Sequence, residues 1–220
     1  MTKPPLRRLV IATHNRKKGG EMIQILGKRF PQLELRTLAD YPDSPEPDET
    51  GTTYAGNAII KAESAARTTG EWALADDAGL EIDALNGEPG LWSKRFAGEE
   101  TPFPEKMRRI LELLDSVPEQ RRTARFRCCV ALSPGCVTNQ PSQENLGRSV
   151  VFEATCEGRI ALEPSGAGGF GYDPIFFLPE QGCTMADLTA EQKHSISHRG
   201  KVLRILGDFL YDSFELGGDA

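Results

Sequence analysis

No two cysteines in this 220-residue chain are spaced as C-x-x-C, and the five present (Cys128, Cys129, Cys136, Cys156 and Cys183) are an odd number. Both facts argue against a disulfide framework or a Cys-rich zinc site and fit a reducing compartment. No apolar run reaches the length of a membrane span, and the basic opening MTKPPLRRLV lacks the apolar centre of a signal peptide. A cytoplasmic protein with no membrane partner is the expectation. A net positive charge is also lacking. A formal net charge of −6 argues against a nucleic-acid polymer as partner, which would call for a basic stripe. It leaves room for a small anionic ligand held by a few local Lys and Arg. Internal repeats and low-complexity segments are absent.

What remains is an ordinary globular balance, 39% hydrophobic and 26% charged, over a length that suits one sizeable α/β domain spanning 1–220. The run RRLVIAT (7–13) reads as a buried first strand, followed by polar HNRKKGG and a helix over EMIQILGKRF. A second strand is expected at 32–38, then a Pro- and acid-rich loop, then a helix from Tyr54 closed by Gly70. A strand WALAD, a loop and a short strand LEIDAL follow. A helix is expected at about 103–115, and two long strands at 123–133 and 147–160 flank a hairpin loop. After a Gly-rich stretch and an aromatic strand, the terminal helix carries apolar Val202, Leu203, Ile205, Leu206, Phe209 and Leu210. The expected fold class is α/β, a mixed twisted sheet flanked by helices. The long strand pair is expected to form a second lobe, with the active-site cleft between the lobes.

Five stretches carry chemistry. In ADDAGLEIDALNGEPG (75–90), the adjacent carboxylates Asp76 and Asp77 follow an apolar run, where paired like charges ordinarily cost free energy. Side chains on a strand alternate faces, so each Asp needs its own explanation. Thr13, Asn15 and Lys18 sit where a first strand turns into a first helix, a natural phosphate site because N–H groups point outward there. The glycines 19 and 20 follow the lysine, so this is not a Walker A loop. The acidic loop supplies Asp48 and Glu49, and Glu49 with Asp77 would suit a hard divalent cation such as Mg²⁺. GGFGYDPIF (168–176) puts Phe170, Gly171, Tyr172 and Asp173 on a Gly-rich turn, where a ring can stack on a planar base. Finally, KHSISHR (193–199) brings Lys193, His198 and Arg199, with Ser197 as an N-cap. Cations in a first helical turn oppose the macrodipole, a cost that an anionic or electron-rich partner offsets.

Taken singly these stretches are weak; their order is not. Together with ETGTTYAGNAIIKA and LNGEPGLWSKRFAG, they resemble the inosine triphosphate pyrophosphatase family (dITP/XTP pyrophosphatases) from about Leu9 to Leu206. The resemblance implies Mg²⁺-dependent hydrolysis of nonstandard purine triphosphates (ITP, dITP, XTP) to the monophosphate and pyrophosphate, which cleanses the nucleotide pool. It implies that Thr13, His14, Asn15, Arg16, Lys17 and Lys18 hold the triphosphate, that Glu49 and Asp77 serve the metal, and that Asp77 takes the proton from water. Asp76 would support the site from behind, and Lys61 would face the phosphates. Ala78, Phe170, Gly171, Tyr172, Asp173, Lys193, His198 and Arg199 fall on its remaining substrate positions. A homodimer is implied as well, with GLWSKRFAG as part of the interface.

Two positions depart from the pattern. Ala78 stands where Ser is usual and removes a hydroxyl, and Gly56 stands where Glu is usual and removes a carboxylate beside the acidic loop. If that Glu serves the metal, the protein should need more Mg²⁺ or turn over more slowly. The competing readings are a Maf-like pyrophosphatase with another base preference and a nucleotide-binding sensor with weak turnover.

Overall fold

The computed structural model describes residues 2–45, 47–135 and 148–216. Its strands are β1 (Pro5–Leu6), β2 (Arg8–Ile11), β3 (Glu34–Thr37), β4 (Ala73–Ile82), β5 (Thr123–Ser133), β6 (Val150–Ile160), β7 (Phe176–Leu178), β8 (Cys183–Thr184) and β9 (Glu215–Leu216). Its helices are α1 (Arg16–Arg29), α2 (Tyr54–Thr69), α3 (Phe103–Leu113), α4 (Ala190–Ile196) and α5 (His198–Ser213). Seven strands pair in the order β3-β2-β4-β5-β6-β7-β8, and β1 pairs with β9. The sheet is mixed: β2 runs parallel to β3 and β4, whereas β7 is antiparallel to β6 and β8.

The chain divides into two compact units. One comprises residues 1–77, 129–153 and 202–220, the other 78–128 and 154–201. In the first, α2 buries a stripe of small residues, Ala58, Ala62, Ala65 and Ala66, in a cluster with Val10, Ala12, Ala73, Ala75 and Ala131. Small side chains let a helix approach strands closely, which brings neighbouring polar residues on the same helix within reach of the strand ends. Gly70 closes α2 at φ 73°, a left-handed position that glycine adopts without steric cost. In the second unit, Met107, Ile110 and Leu114, spaced for one helical face, pack with Leu80, Ile82, Phe126, Tyr172 and Phe176. Buried Arg122 donates to the carbonyls of Leu114 (2.8 Å) and Val117 (2.9 Å), tying down the segment that follows α3.

Several sequence expectations shift. The polar stretch HNRKKGG is mostly helix, because Asn15 caps α1 by accepting from the Lys17 and Lys18 N–H groups. The loop expected between WALAD and LEIDAL does not form: β4 is one ten-residue strand running through Asp76 and Asp77. Ile205 faces solvent, while Val202, Leu203, Leu206 and Leu210 are buried. The short helix α4 and the β1–β9 pair lacked any periodic signal, since two-residue strands and a seven-residue helix are shorter than a pattern can register. The expected hairpin loop lies almost wholly outside the described residues.

At the start of α2, Thr53 is the N-cap and accepts from the Gly56 N–H at 3.0 Å. Position 56 is therefore the third helical residue, where a Glu reaches back to the cap's own N–H and completes a capping box. The missing Glu thus removes the returning half of a capping box, whatever it does for a metal. A Cβ at position 56 would stand 3.2 Å from the Thr53 hydroxyl, a contact that opens with a shift of a few tenths of an ångström. Gly56→Glu should stabilise the protein by about 1 kcal/mol. The melting temperature measured without metal should rise by about 2–4 °C; a fall would mean the crowding at Thr53 outweighs the cap.

Candidate active site

The first unit gathers one cluster around β4. Asp76 and Asp77 sit on consecutive positions of a continuous strand, so their side chains leave on opposite faces. Each meets a different lysine. The Lys18 ammonium, on the first turn of α1, approaches Asp76 Oδ2 at 3.3 Å, and the Asp76 side chain is 1% exposed. The Lys61 ammonium, on α2, lies 3.4 Å from Asp77 Oδ1 and 2.9 Å from Glu49 Oε1. The strand therefore answers the question its adjacent carboxylates raise: each charge is matched by a cation delivered from a separate helix.

Asn57, one helical turn before Lys61, donates from Nδ2 to Asp77 Oδ2 at 3.0 Å. Its Oδ1 accepts from the Gly51 N–H at 2.8 Å. This residue was passed over in the sequence, although it had a signal. It is an amide on the buried stripe of a helix whose other buried members are mostly alanine. Burial pushes the Asp77 carboxyl above the ordinary aspartate range; Lys61, Lys18 and the Asn57 bond pull it back without cancelling the effect. Burial alone would lower Lys61, but the charges of Asp77, Asp76 and Glu49 outweigh it and hold the ammonium above its usual value. Lys61 is therefore a full cation throughout the working pH range.

Glu49 and Asp77 thus converge on a single positive centre, the Lys61 ammonium. Among the described residues no set of three or more His, Cys, Asp or Glu forms a metal cage. Two carboxylates with hard oxygen donors are nonetheless what Mg²⁺ takes from a protein when water and phosphate oxygens complete its shell. The donor set fits that ion. Before α1, Thr13 Oγ1 accepts from the Asn15 N–H at 3.2 Å, and His14, Asn15, Arg16 and Lys17 are exposed around the helix start. The loop and first turn present polar groups and three cationic side chains at the positive end of a fourteen-residue helix.

The second unit gathers the other cluster. Asp173 Oδ2 accepts from the Phe170 N–H at 2.8 Å and from Lys193 Nζ at 2.7 Å, with both charged side chains buried. Gly169, at φ 68°, lies so close that a Cβ there would stand 2.0 Å from that oxygen, so only glycine fits the turn. Lys193 and Arg199 lie over the Phe170 ring, 4.5 and 5.7 Å from its centre. His198 stacks on Phe126 with ring centres 4.8 Å apart. Ser197 caps the first turn of α5 by accepting from the Gly200 N–H at 3.2 Å, as the sequence suggested. Tyr172 is 3% exposed, packs edge-on against Phe103 and donates its hydroxyl to the Ser93 carbonyl at 2.9 Å. Its ring is thus a strut within the unit, leaving Phe170 as the half-buried aromatic of the turn. Ala78 is half-buried directly after Asp77 on β4.

Comparison with known proteins places the chain in a family. The model of the Ham1 family matches residues 9–209. A dITP/XTP pyrophosphatase of Geobacillus kaustophilus is 45% identical over 203 residues, covering 92% of this chain and 94% of that protein. The structure of a HAM1 protein from Coxiella burnetii superposes with a TM-score of 0.81 at 39% identity, over 94% of this chain and 100% of the other. The Staphylococcus aureus Ham1 protein gives 0.79 at 36% identity, over 94% and 99%. Among the described residues no helix is long and apolar enough to cross a membrane. With matches spanning nearly its whole length, and with the ordered motifs folded into two charged clusters, the chain belongs to the Ham1 family.

Proposed function

We propose that this protein is a nucleoside-triphosphate pyrophosphatase that hydrolyses nonstandard purine triphosphates (ITP, dITP, XTP) to the monophosphate and pyrophosphate. The observation that carries the reading is the buried Asp77, bonded to Asn57 and Lys61 and sharing that lysine with Glu49. The similarity to curated dITP/XTP pyrophosphatases supports the substrate class.

In this reading the N–H groups at the start of α1, with Lys18, hold the triphosphate, while Asp76 fixes the Lys18 ammonium from behind. Glu49 and Asp77 would hold Mg²⁺, which when bound stabilises charge on phosphate oxygens and acidifies water. Lys61 faces the negative charge that builds on the phosphates. Asp77 accepts the proton as water oxygen bonds to phosphorus and the bond to pyrophosphate breaks. Phe170 stacks on the purine, and donors from Arg199 or His198 meet the 6-oxo acceptor of hypoxanthine or xanthine. Adenine puts a 6-amino donor there, which leaves buried donors unpaired, a large penalty. The reading includes a cytoplasmic homodimer; exposed Trp92, in GLWSKRFAG, is a residue such an interface would cover.

Pyrophosphate release tests the whole scheme. ITP, XTP and dITP should be cleaved rapidly and only with Mg²⁺, with ATP slower by about 10²-fold or more. Tight ITP binding without release would instead make this a sensor. Asp77→Asn should lower kcat by about 10³-fold. It should change the melting temperature little, because burial already disfavours the charge it removes. A variant that keeps turnover defeats the proton-acceptor role. Lys61→Met leaves two carboxylates facing each other and should destabilise the metal-free protein by about 2 kcal/mol. Added Mg²⁺ should recover more of its melting temperature than it adds to the wild type. Equal Mg²⁺ shifts in both would detach Glu49 and Asp77 from the metal.

A further inference from the structure

We propose that Asn57 is a positioning residue: its one side-chain amide locks the loop that carries Glu49 to the strand that carries Asp77. The inference rests on the reading of those two carboxylates given above. A buried amide is costly unless both ends are bonded, and Asn57 is 3% exposed. Both ends are bonded, and to different elements. Oδ1 takes the Gly51 N–H of the acidic loop, and Nδ2 gives a proton to Asp77 Oδ2. A backbone N–H can only donate and an ionised carboxylate can only accept, so the amide has a single workable orientation.

Each partner is shaped for this link. A Cβ at Gly51 would stand 2.6 Å from Asn57 Oδ1 and 2.8 Å from the Asn57 backbone nitrogen, so the loop closes on the amide only with glycine there. Glu49 is two residues upstream of that contact. On the other side, Asn57 occupies Oδ2 of Asp77 and leaves Oδ1 toward the cation position now filled by Lys61. The amide therefore sets the rotation of the Asp77 carboxylate and the reach of the Glu49 loop together. Being neutral, it does so without adding a further negative charge to a cluster that already holds three carboxylates. Groups behind metal-binding carboxylates orient them in this way, and their loss commonly lowers metal affinity by about 10–100-fold.

The test uses the full chain with Asn57→Leu, which keeps the bulk and removes both bonds, Gly51→Ala, which pushes the loop off an intact amide, and the double variant. Binding of Mg²⁺ alone is measured by calorimetry, and kcat and KM for ITP separately. Each single variant should bind Mg²⁺ about tenfold more weakly. Each should lose kcat with little change in KM, and the double variant should be no worse than the worse single, because all three break one link. Unchanged Mg²⁺ affinity in folded variants, or losses that add in the double variant, would overturn the assignment. Gly51→Ala changes no residue of α2 or β4, so the question stays answerable if Asn57→Leu does not fold. Asp77→Asn run alongside separates the two ideas. If it retains turnover and Mg²⁺ binding, the reading of the site fails. If it is inactive while the Asn57 and Gly51 variants behave as wild type, only the role of Asn57 fails.

Discussion

Asp76 and Asp77 are buried on a strand flanked by apolar Leu74, Ala75 and Leu80, and neither charge can be left there without an oppositely charged or hydrogen-bonding neighbour. Much of the first unit's local structure follows from meeting that demand. α1 starts where it does because Asn15 caps it, and that start puts Lys18 against Asp76. α2 lies against the strands through alanines, and the same close approach lets Asn57 and Lys61, one turn apart, reach Asp77. Three carboxylates and two ammonium groups then share a small volume, leaving a negative surplus of the sign that a cation would offset.

Such a cluster is a poor investment in stability. Buried ion pairs roughly break even against apolar packing, because the desolvation of both charges opposes their attraction. Their value here is geometric. A lysine held by two carboxylates from different segments fixes the distance between those segments, and an amide bonded to both does the same by a second route. The free energy for folding comes instead from the apolar clusters, Val10 and the alanine stripe in one unit, Leu80, Ile110 and Phe176 in the other.

The sequence was informative where function leaves residues that packing would not choose. The adjacent Asp76 and Asp77, the Gly-rich turn before Asp173 and the cations opening α5 all stood out for that reason, and the α2 boundaries followed from Gly70 and the apolar pattern. It was misleading where local polarity imitates a loop. HNRKKGG became helix through one cap, and the Asp pair did not end β4, because its partners come from segments far away in the chain. Asn57 was missed for a related reason. A polar residue on a helix reads as solvent-facing until its neighbours' burial is known. The capping consequence of Gly56 likewise required the helix start to be fixed to the residue.

In the second unit the same economy of charge has a different result. Asp173 Oδ2 accepts from the Phe170 N–H and from Lys193 Nζ, so it holds the turn and a cation in place. Tyr172 is bound to Ser93, which leaves Phe170 as the ring beside Lys193 and Arg199. In the function we propose, this cluster would offer the base an aromatic ring with donors beside it. A surface of that kind discriminates in one direction. It would favour a purine edge that presents acceptors and disfavour one that presents an amino group, since a donor facing buried donors finds no partner and both sides lose the water they had.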